Sequence, residues 1–316
     1  MKIKELNVLA PYTNTKGKRL DQIISNIFIQ YSRSCLKNWI LMDHVYVNGK
    51  IENKPNKKLL GGEKITIYPI DQKKTFDSPE NIFLNIIYED NHLLVINKSS
   101  GLIVHPGAGN NNGTVLNALL YRYKNSKYLP RCGIVHRLDK NTSGLMIIAK
   151  TIFSYYFLVK LLKNKKIIRK YQAIVKGNMI SGGTINYPIM RHPCKRIRMV
   201  VNPLGKPAIT HYKIIHRFKF YTHILLQLET GRTHQIRVHM EYIKYPLLGD
   251  PVYGGINYSN RYFKKKCFYE KIIFSRQALH AHYLEFLHPI TNKLMSWEID
   301  LPLDMKSLIL NLNTKL

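Results

Sequence analysis

The amino-acid sequence predicts an α+β protein. A small N-terminal α/β module precedes a larger domain built on a mixed, largely antiparallel sheet with flanking helices. The length of 316 residues corresponds to about two domains of ordinary size. Hydrophobic residues make up 45% of the chain and charged residues 22%, which is enough apolar material for packed cores. In the larger part, helical and strand-like patterns are intermixed without the regular strand–helix alternation of a parallel sheet.

The N-terminal module is predicted from two apolar helix faces followed by short strands. The first face repeats at intervals of three and four residues and consists of Leu20, Ile23, Ile24, Ile27 and Phe28. The second face consists of Leu36, Trp39 and Ile40. Ser32 is the predicted N-cap of this second helix. Residues 45–47 and 65–68 are predicted strands, and Asn48-Gly49 is a strong signal for a hairpin turn after the first of them.

A polar, proline-containing segment at residues 69–80 predicts a linker between the two parts. We therefore place the module at residues 1–75, the linker at 76–83 and the larger domain at 84–310. The larger domain is predicted to contain a helix at 152–164 and strands at 86–88, 93–96, 145–149, 173–175, 208–216 and 222–229. Residues 311–316 are predicted to be a frayed tail.

The charge balance points to a polyanionic partner. The chain has 49 Lys+Arg against 19 Asp+Glu, a net charge of +30. Such a positive surface attracts nucleic acid first of all. However, 35 of the 49 basic residues are Lys, and a blend rich in Lys, Ile and Asn is also typical of an AT-rich genome. The share of the charge that serves RNA binding therefore stays open.

Several other classes of protein are disfavoured. No apolar stretch approaches the roughly 18 residues of a membrane span, and residues 1–20 lack the apolar block of a signal peptide, so we expect a soluble cytoplasmic protein. The cysteines are too far apart for a zinc clip or a disulfide framework; they are Cys35, Cys132, Cys194 and Cys267. There is no P-loop and no dinucleotide fingerprint. His234 and His239 are five residues apart, a spacing that puts two side chains on different faces of a helix or of a strand, so this pair does not suit a metal site. We expect neither a metal nor a cofactor.

Three polar segments stand out. The run H-R-L-D-K-N-T-S-G at residues 136–144 leads directly into an apolar strand, and Asp139 lies in it between two basic residues. This pattern fits a reactive carboxylate, or a turn in which Asp139 caps a backbone N–H. The second segment is R-K-Y, ending at Tyr171, which alone would be typical of core packing. The third, at residues 229–239, puts two arginines and two histidines at the start of a helix capped by Thr233, which favours anion binding or a solvated basic turn.

Together these motifs resemble the RluA-like family of ribosomal RNA pseudouridine synthases. The resemblance extends through residues 104–110, 248–254 and 276–281 and covers nearly the whole chain. The N-terminal module resembles an S4 domain, a small RNA-binding unit. These features point to the large-subunit pseudouridine synthase D subgroup. The resemblance implies a pseudouridine synthase fold and isomerisation of uridines in large-subunit (23S) ribosomal RNA, in the stem-loop that faces the decoding region.

The resemblance also implies roles for individual residues. Asp139 matches the essential aspartate, Arg237 the basic residue that pairs with it, and Tyr171 the aromatic residue that stacks on the target base. Arg137 matches the position that holds or replaces the flipped nucleotide. Further RNA contacts are expected from His136, Arg232, His234, Arg19, Arg33 and Lys37. The expected partner is ribosomal RNA, including the large-subunit precursor particle, with no membrane and no second copy of the chain.

Two other functional classes compete with this interpretation. A non-catalytic RNA-binding or ribosome-assembly protein would share the module and the charge, but it would have no need for Asp139, Tyr171 and Arg237 together. A metal-dependent RNA hydrolase would need a second carboxylate, and the sequence places none near Asp139. The exact target uridines stay open, as does the choice between covalent attack and proton abstraction by Asp139.

Overall fold

The computed structural model describes residues 5–12, 17–28, 31, 33–69, 78–107, 109–195, 197–254 and 274–314, without the side chain of Ser34. The predicted cap Ser32, residues 70–77 of the polar segment that predicts the linker, and Cys267 lie outside these residues. The chain divides into two compact units, Met1–Phe76 and Asp77–Leu316. None of the helices described is long and apolar enough to cross a membrane.

Within its described residues, the N-terminal unit has two helices and six short strands. In chain order they are β1 (Leu6–Leu9), β2 (Lys18–Arg19), α1 (Leu20–Ile27), α2 (Arg33–Leu41), β3 (Val45–Val47), β4 (Lys50–Ile51), β5 (Lys58–Leu59) and β6 (Lys64–Ile67). Four of the strands form an antiparallel sheet in the order β1-β6-β3-β4, and β2 pairs with β5. Asn48 and Gly49 both have positive φ, of 51° and 77°, which is the geometry of the tight turn that joins β3 to β4.

The core of this unit forms where the apolar periodicity predicts it. The buried side chains from α1 and α2 include Leu20, Ile23, Ile24, Leu36, Trp39 and Ile40. Ile65 and Ile67 from β6 complete the core from the sheet. The two predicted helices and the strand at 65–68 are therefore confirmed, the strand to within one residue.

Besides two short 3₁₀ helices at Lys124–Tyr128 and Pro130–Gly133, the larger unit contains eleven further strands and four further α-helices among the described residues. They are β7 (Asn85–Glu89), β8 (Leu93–Lys98), α3 (Val115–Arg122), β9 (Ser143–Ala149), α4 (Ile152–Lys163), β10 (Ile168–Lys176), β11 (Gly183–Asn186), β12 (Ile189–Arg191), β13 (Met199–Val201), β14 (Ile209–Arg217), β15 (Tyr221–Leu228), α5 (Gln235–Tyr242), β16 (Leu279–Leu287), β17 (Leu294–Glu298) and α6 (Leu303–Asn313).

A nine-stranded sheet organises this unit. Its order is β11-β14-β15-β10-β16-β9-β8-β7, with β17 paired to the outer part of β16. All neighbouring strands are antiparallel except β9 and β16, which pair in parallel through His280↔Ser143 and Ala281↔Gly144. The predicted α+β class with a mixed, largely antiparallel sheet is thus confirmed. β16 is the strand that joins the β7-β8-β9 part of the sheet to the part that contains β10.

Helices cover both faces of the sheet. α3 and α5 pack on one face with Ile96, Met146 and Tyr171, in the largest hydrophobic cluster. α4 packs on the other face against alternate residues of β8 and β9, and α6 packs on that face against Ile174. Because both faces are covered, β9 is buried along its whole length, as its uninterrupted apolar run indicates.

Two predictions about helix ends are wrong. Residues 311–313 are not a frayed tail but the last turn of α6, because Leu308 and Leu312 are buried against the sheet. Thr233 is not the N-cap of α5. His234 occupies that position with a left-handed φ of 56° and makes no side-chain cap.

Candidate active site

A cleft of about 790 Å³ opens on the face of the sheet that carries α3 and α5. Its walls bring together every site residue that the sequence predicts in the larger unit. They are His136, Arg137, Asp139, Tyr171, Arg232, His234 and Arg237. These side chains come from the loop before β9, from β10, and from the segment that leads into α5.

The backbone of the loop that carries Asp139 is held from two sides. The buried ammonium of Lys98 donates to the carbonyl of Lys140 at 3.0 Å. The Arg276 guanidinium donates to the carbonyl of Asn141 at 3.1 Å. Directly after the loop, Gly144 pairs with Ala281 at a φ of 117°, and a Cβ there would lie only 2.2 Å from the Ala281 carbonyl oxygen. The carboxylate of Asp139 therefore projects from a fixed backbone.

The Arg237 guanidinium bridges two carboxylates. Its Nη1 donates to Asp139 Oδ2 at 2.9 Å, while Nε and Nη2 donate to Asp250 at 2.6 and 2.9 Å. Asp250 also accepts the backbone N–H groups of Val252 and Tyr253, each at 2.9 Å. Burial acts to raise the pKa of Asp250, but Arg237 and these N–H groups lower it below its ordinary value. Asp250 thus fixes Arg237, and Arg237 in turn fixes the direction of the Asp139 carboxylate.

Asp250 also corrects the expectation that no second carboxylate lies near Asp139. The two carboxylates share one guanidinium, but they differ in access. The Asp139 side chain is 16% exposed and lines the cleft, whereas that of Asp250 is fully buried behind Arg237. Because the guanidinium lies between them, the pair does not form a joint cation site. Among the residues described, no group of three or more His, Cys, Asp or Glu side chains could hold a metal ion.

Tyr171 lies on β10, on the strand face that lines the cleft. Only 5% of its surface is exposed. Burial raises the pKa of its hydroxyl, and the nearby charge of Arg169 opposes that change. The ring is therefore an apolar wall of the cleft, and its hydroxyl stays protonated at neutral pH. Such a surface suits stacking on a base that has left its helix.

His234 lies beside the carboxylate. Its Nε2 is 4.0 Å from Asp139 Oδ1, and its Nδ1 is hydrogen-bonded to the Tyr253 hydroxyl at 2.9 Å. Burial lowers the pKa of His234, although the Asp139 charge acts in the opposite direction. The Tyr253 ring also lies 4.9 Å from the guanidinium carbon of Arg237. The left-handed backbone at His234 therefore places the imidazole ring between the Asp139 carboxylate and the Tyr253 hydroxyl.

Two further histidines of the cleft are held neutral by burial. His136 accepts the backbone N–H of Ile147 at 3.0 Å, and burial lowers its pKa to about 3. Burial, with Arg131 and Arg137 nearby, lowers the pKa of His105 to about 4. Both rings are therefore uncharged at neutral pH.

The predicted RNA-binding arginines differ in how they are engaged. Arg137 is exposed at the cleft, and Arg232 donates from Nε to the carbonyl of Pro207 at 3.1 Å. In the N-terminal unit, Arg19 and Arg33 both pair with the buried Asp21, at 3.0 and 2.8 Å.

Lys37 is exposed on α2, the helix that also carries Arg33. The pairing with Asp21 leaves Arg19 and Arg33 about half exposed, so their outer N–H groups still face solvent. All three side chains of the N-terminal unit are therefore accessible from solvent.

The comparisons with known proteins agree with this geometry. The family model for RNA pseudouridylate synthase matches residues 92–242, and the S4 domain model matches residues 18–65. A protein of Buchnera aphidicola subsp. Schizaphis graminum, "Ribosomal large subunit pseudouridine synthase D", is 66% identical over 313 residues, covering 99% of each chain. This chain belongs to the RNA pseudouridine synthase family. The protein of the same name from Escherichia coli K12 is 49% identical over 296 residues, covering 94% of this chain and 91% of that one.

Solved structures carry the same fold. Human RNA Pseudouridylate Synthase Domain Containing 4 is 25% identical with a TM-score of 0.55, covering 72% of this synthase and 93% of the human chain. Human RNA Pseudouridylate Synthase Domain Containing 1 is 23% identical with a TM-score of 0.52, covering 74% and 96%. At this level of identity the second likeness concerns the fold alone.

Several side chains at the site of this synthase are not evident from the sequence. Asp250 stands in a stretch that carries the family resemblance, but nothing near it in sequence indicates its partner Arg237. Lys98 looks like an ordinary strand-end lysine, yet it is 1% exposed and holds three carbonyls. Arg169, two residues before Tyr171, also lines the cleft. The alternation along β10 could have indicated Arg169, because residues two apart share a face.

Proposed function

We propose that this synthase converts specific uridines to pseudouridine in large-subunit (23S) ribosomal RNA, in the stem-loop that faces the decoding region. Asp139 acts on the target uridine, and no cofactor takes part. The observation that carries the proposal is the chain Asp139–Arg237–Asp250 on a cleft wall beside the buried ring of Tyr171. It presents one oriented, partly exposed carboxylate next to an aromatic surface.

The reaction rearranges bonds within one nucleotide. The C1′–N1 bond breaks, the uracil turns, and C1′ joins C5, which loses its proton while N1 gains one. Since the product has the formula of the substrate, the balance needs no oxidant, reductant or group donor. Asp139 either attacks C1′ or removes a proton from the sugar, and both routes need an ionised carboxylate, which Arg237 orients through its hydrogen bond.

The other residues bind and orient the nucleotide. The Tyr171 ring stacks on the extruded base, because a base outside its helix exposes a face that an aromatic side chain can cover. Arg137 holds or replaces the flipped nucleotide from the exposed edge of the cleft. Arg232, His136 and His234 contact the base or its phosphates.

The substrate class is supported from outside the cleft. The relatives are named as ribosomal large subunit synthases, and the S4 domain match covers residues 18–65. The net charge of +30 suits a long polyanion, including the RNA of a large-subunit precursor particle. Arg19, Arg33 and Lys37 contact phosphates through the N-terminal unit. The enzyme acts as a monomer in the cytoplasm, where this RNA is assembled.

The decisive experiment is Asp139→Asn. The amide keeps the shape of the side chain and removes its charge, so isomerisation should be abolished while RNA binding stays within a few-fold. Tritium release from RNA labelled at uracil C5 measures the reaction, because C5 loses its hydrogen when it joins C1′. Activity within tenfold of the native enzyme would sink the assignment. Mapping pseudouridine in ribosomal RNA from cells with and without the gene then identifies the target positions.

A further inference from the structure

Arg169 is a buried arginine on a wall of the cleft. It lies on β10 two residues before Tyr171, so the two side chains share the strand face that lines the cleft. Only 7% of the residue is exposed. Its Nε is inaccessible and has no hydrogen-bond partner, and none of the described residues forms an ion pair with its guanidinium.

The surroundings of Arg169 are built without a compensating acid. Between Asp139 and Glu229 the sequence contains 17 Lys and Arg and no Asp or Glu. None of the strands from β9 to β15 therefore carries an acidic side chain that could pair with Arg169. The cross-strand neighbour of Arg169 on β16 is Leu284. Gly231 leaves room for the guanidinium, because a Cβ there would lie 3.0 Å from Nη1.

Such an arrangement is unfavourable for the free protein. A buried charge without a partner is destabilising, and burial lowers the pKa of Arg169 accordingly. A guanidinium nevertheless keeps its proton at neutral pH, because its unperturbed pKa is so high. The site therefore holds a positive charge that a ligand, rather than the fold, has to compensate.

We propose that Arg169 binds the uracil of the target uridine and stabilises the negative charge that the base acquires when its glycosidic bond breaks. This inference rests on the proposed function. It adds an electrostatic catalytic residue to Asp139, and it explains why the guanidinium shares a strand face with the proposed stacking residue Tyr171.

The charge that Arg169 meets follows from the bond changes. When C1′–N1 breaks, the bonding electron pair leaves with N1 and is spread over N1 and the carbonyl oxygens O2 and O4. At the same stage Asp139 acts on the sugar, either by attacking C1′ or by removing a sugar proton. When C5 joins C1′ and its proton is lost, N1 takes up a proton and the negative charge disappears. A donor fixed beside the carbonyl oxygens is thus most stabilising midway through the reaction, which is the condition for catalysis rather than simple binding.

The depth of Arg169 favours the base over a phosphate. Arg131 and Arg137 line the same cleft and are exposed, so they can meet the RNA backbone at its surface. Arg169 is more than nine-tenths buried beside the Tyr171 ring. A phosphate would have to lose most of its hydration to reach it, whereas an extruded base enters this depth by necessity.

The test compares Arg169→Met and Arg169→Lys with the matched control Lys170→Met. Lys170 is the next residue of β10, lies on the opposite strand face, and packs its ammonium 4.4 Å from the Tyr283 ring. Three quantities are measured on the full-length protein: the single-turnover rate of tritium release at saturating RNA, the RNA Kd as a function of salt, and the melting temperature.

Loss of electrostatic stabilisation predicts a specific combination of results. Arg169→Met should lower the single-turnover rate by about 10²-fold, the usual effect of removing one such donor. Its Kd should stay within a few-fold of the native value and its salt slope should be unchanged, because the contact is with the base and not with a phosphate. Its melting temperature should not fall, because an uncompensated buried charge is removed. The rate of Arg169→Lys should lie between those of the native enzyme and of Arg169→Met. Lys170→Met should behave as the native enzyme.

Two results would overturn the inference. An unchanged saturating rate with weaker binding and a salt slope reduced by about one unit would assign Arg169 to a phosphate. An unchanged rate with a lower melting temperature would make it structural. The native enzyme serves as the reference throughout: if it released no tritium, the proposed function itself would fail, independently of Arg169.

Discussion

Replacing the buried Asp250 with Asn tests whether the geometry of Arg237 determines the activity. Oδ1 of Asp250 accepts Nη2 of Arg237 and the N–H groups of Val252 and Tyr253, each at 2.9 Å. Oδ2 accepts Nε of Arg237 at 2.6 Å. In Asp250→Asn the amide oxygen should take the position of Oδ1, where it accepts from all three donors. The NH₂ group then takes the position of Oδ2 and faces Nε of Arg237, so that two donors oppose each other.

The magnitude follows from the burial of this pair. The Asp250 side chain is fully buried and that of Arg237 is 6% exposed, so water cannot replace the lost bond. Breaking one side of a buried ion pair destabilises a protein by about 3 kcal/mol or more, and we expect the free energy of unfolding to fall by that amount. A displacement of Arg237 by about 1 Å would misdirect the Asp139 carboxylate and lower the rate by roughly 10²-fold.

Denaturant unfolding and single-turnover tritium release measure the two effects. Glu241→Gln is the matched control: Glu241 lies on the same helix as Arg237 and pairs with Arg198 at 2.6 Å, but both side chains are more than a quarter exposed. A surface pair of this kind is worth at most about 1 kcal/mol, so the control should keep its rate. RNA binding by Asp250→Asn should change little, because Asp250 does not line the cleft.

Isomerisation by Asp250→Asn within twofold of the native rate, together with the expected loss of stability, would contradict this prediction. Arg237 would then be held adequately without Asp250.

Three other predictions concern the base, the N-terminal unit and acid stability. Tyr171→Phe should keep stacking, whereas Tyr171→Ala should lose the roughly 1–3 kcal/mol of a base–aromatic stack in RNA-binding and rate measurements; full activity of the alanine variant would leave core packing as the role of Tyr171. Deleting residues 1–76 should leave the rate on saturating RNA intact but weaken binding and reduce its salt slope by about one unit per lost phosphate contact; an unchanged slope with a large fall in melting temperature would indicate a structural role. Burial acts to raise the pKa of Asp90, yet hydrogen bonds from His92, Tyr88 and Leu93 lower it from 3.8 to about 2. The folded pKa lies below the unfolded one, so Asp90 contributes about 2 kcal/mol that is present above pH ~4 and lost as pH falls through ~2. The deficit of Asp90→Asn in unfolding free energy should therefore be roughly halved at pH 3, and equal deficits at pH 7 and pH 3 would contradict this.

Local signals predicted the elements whose structure depends on neighbours in sequence. The Asn48-Gly49 dipeptide predicted its hairpin because both residues accept positive φ. The apolar run of β9 predicted a strand covered on both faces. The cleft-lining position of Tyr171 was less visible, because β10 begins at Ile168, earlier than its apolar pattern indicates.

What the sequence did not predict depends on tertiary contacts. α3 was missed because its cap pairs Thr114 with Asn117, where a Glu or Gln would have been the recognisable partner. The last turn of α6 is polar except for Leu312, and only the sheet beneath it shows that the turn is ordered. The pairing of Asp250 with Arg237 joins a loop to a helix, and no local periodicity encodes such a contact. The domain boundaries proposed from the linker composition stay a prediction.

The position of β16 between β9 and β10 has a consequence for protein synthesis. Asp139 precedes β9 and Tyr171 lies on β10, yet the strand that joins these two parts of the sheet begins at Leu279. A nascent chain that has emerged only through α5 holds every proposed catalytic side chain but cannot align them, because β16, which pairs with both β9 and β10, has not yet been synthesised. Activity therefore begins only when translation is almost complete. A product that ends before Leu279 keeps the N-terminal unit and its basic residues but lacks the strand that assembles the cleft, so it would occupy RNA without modifying it.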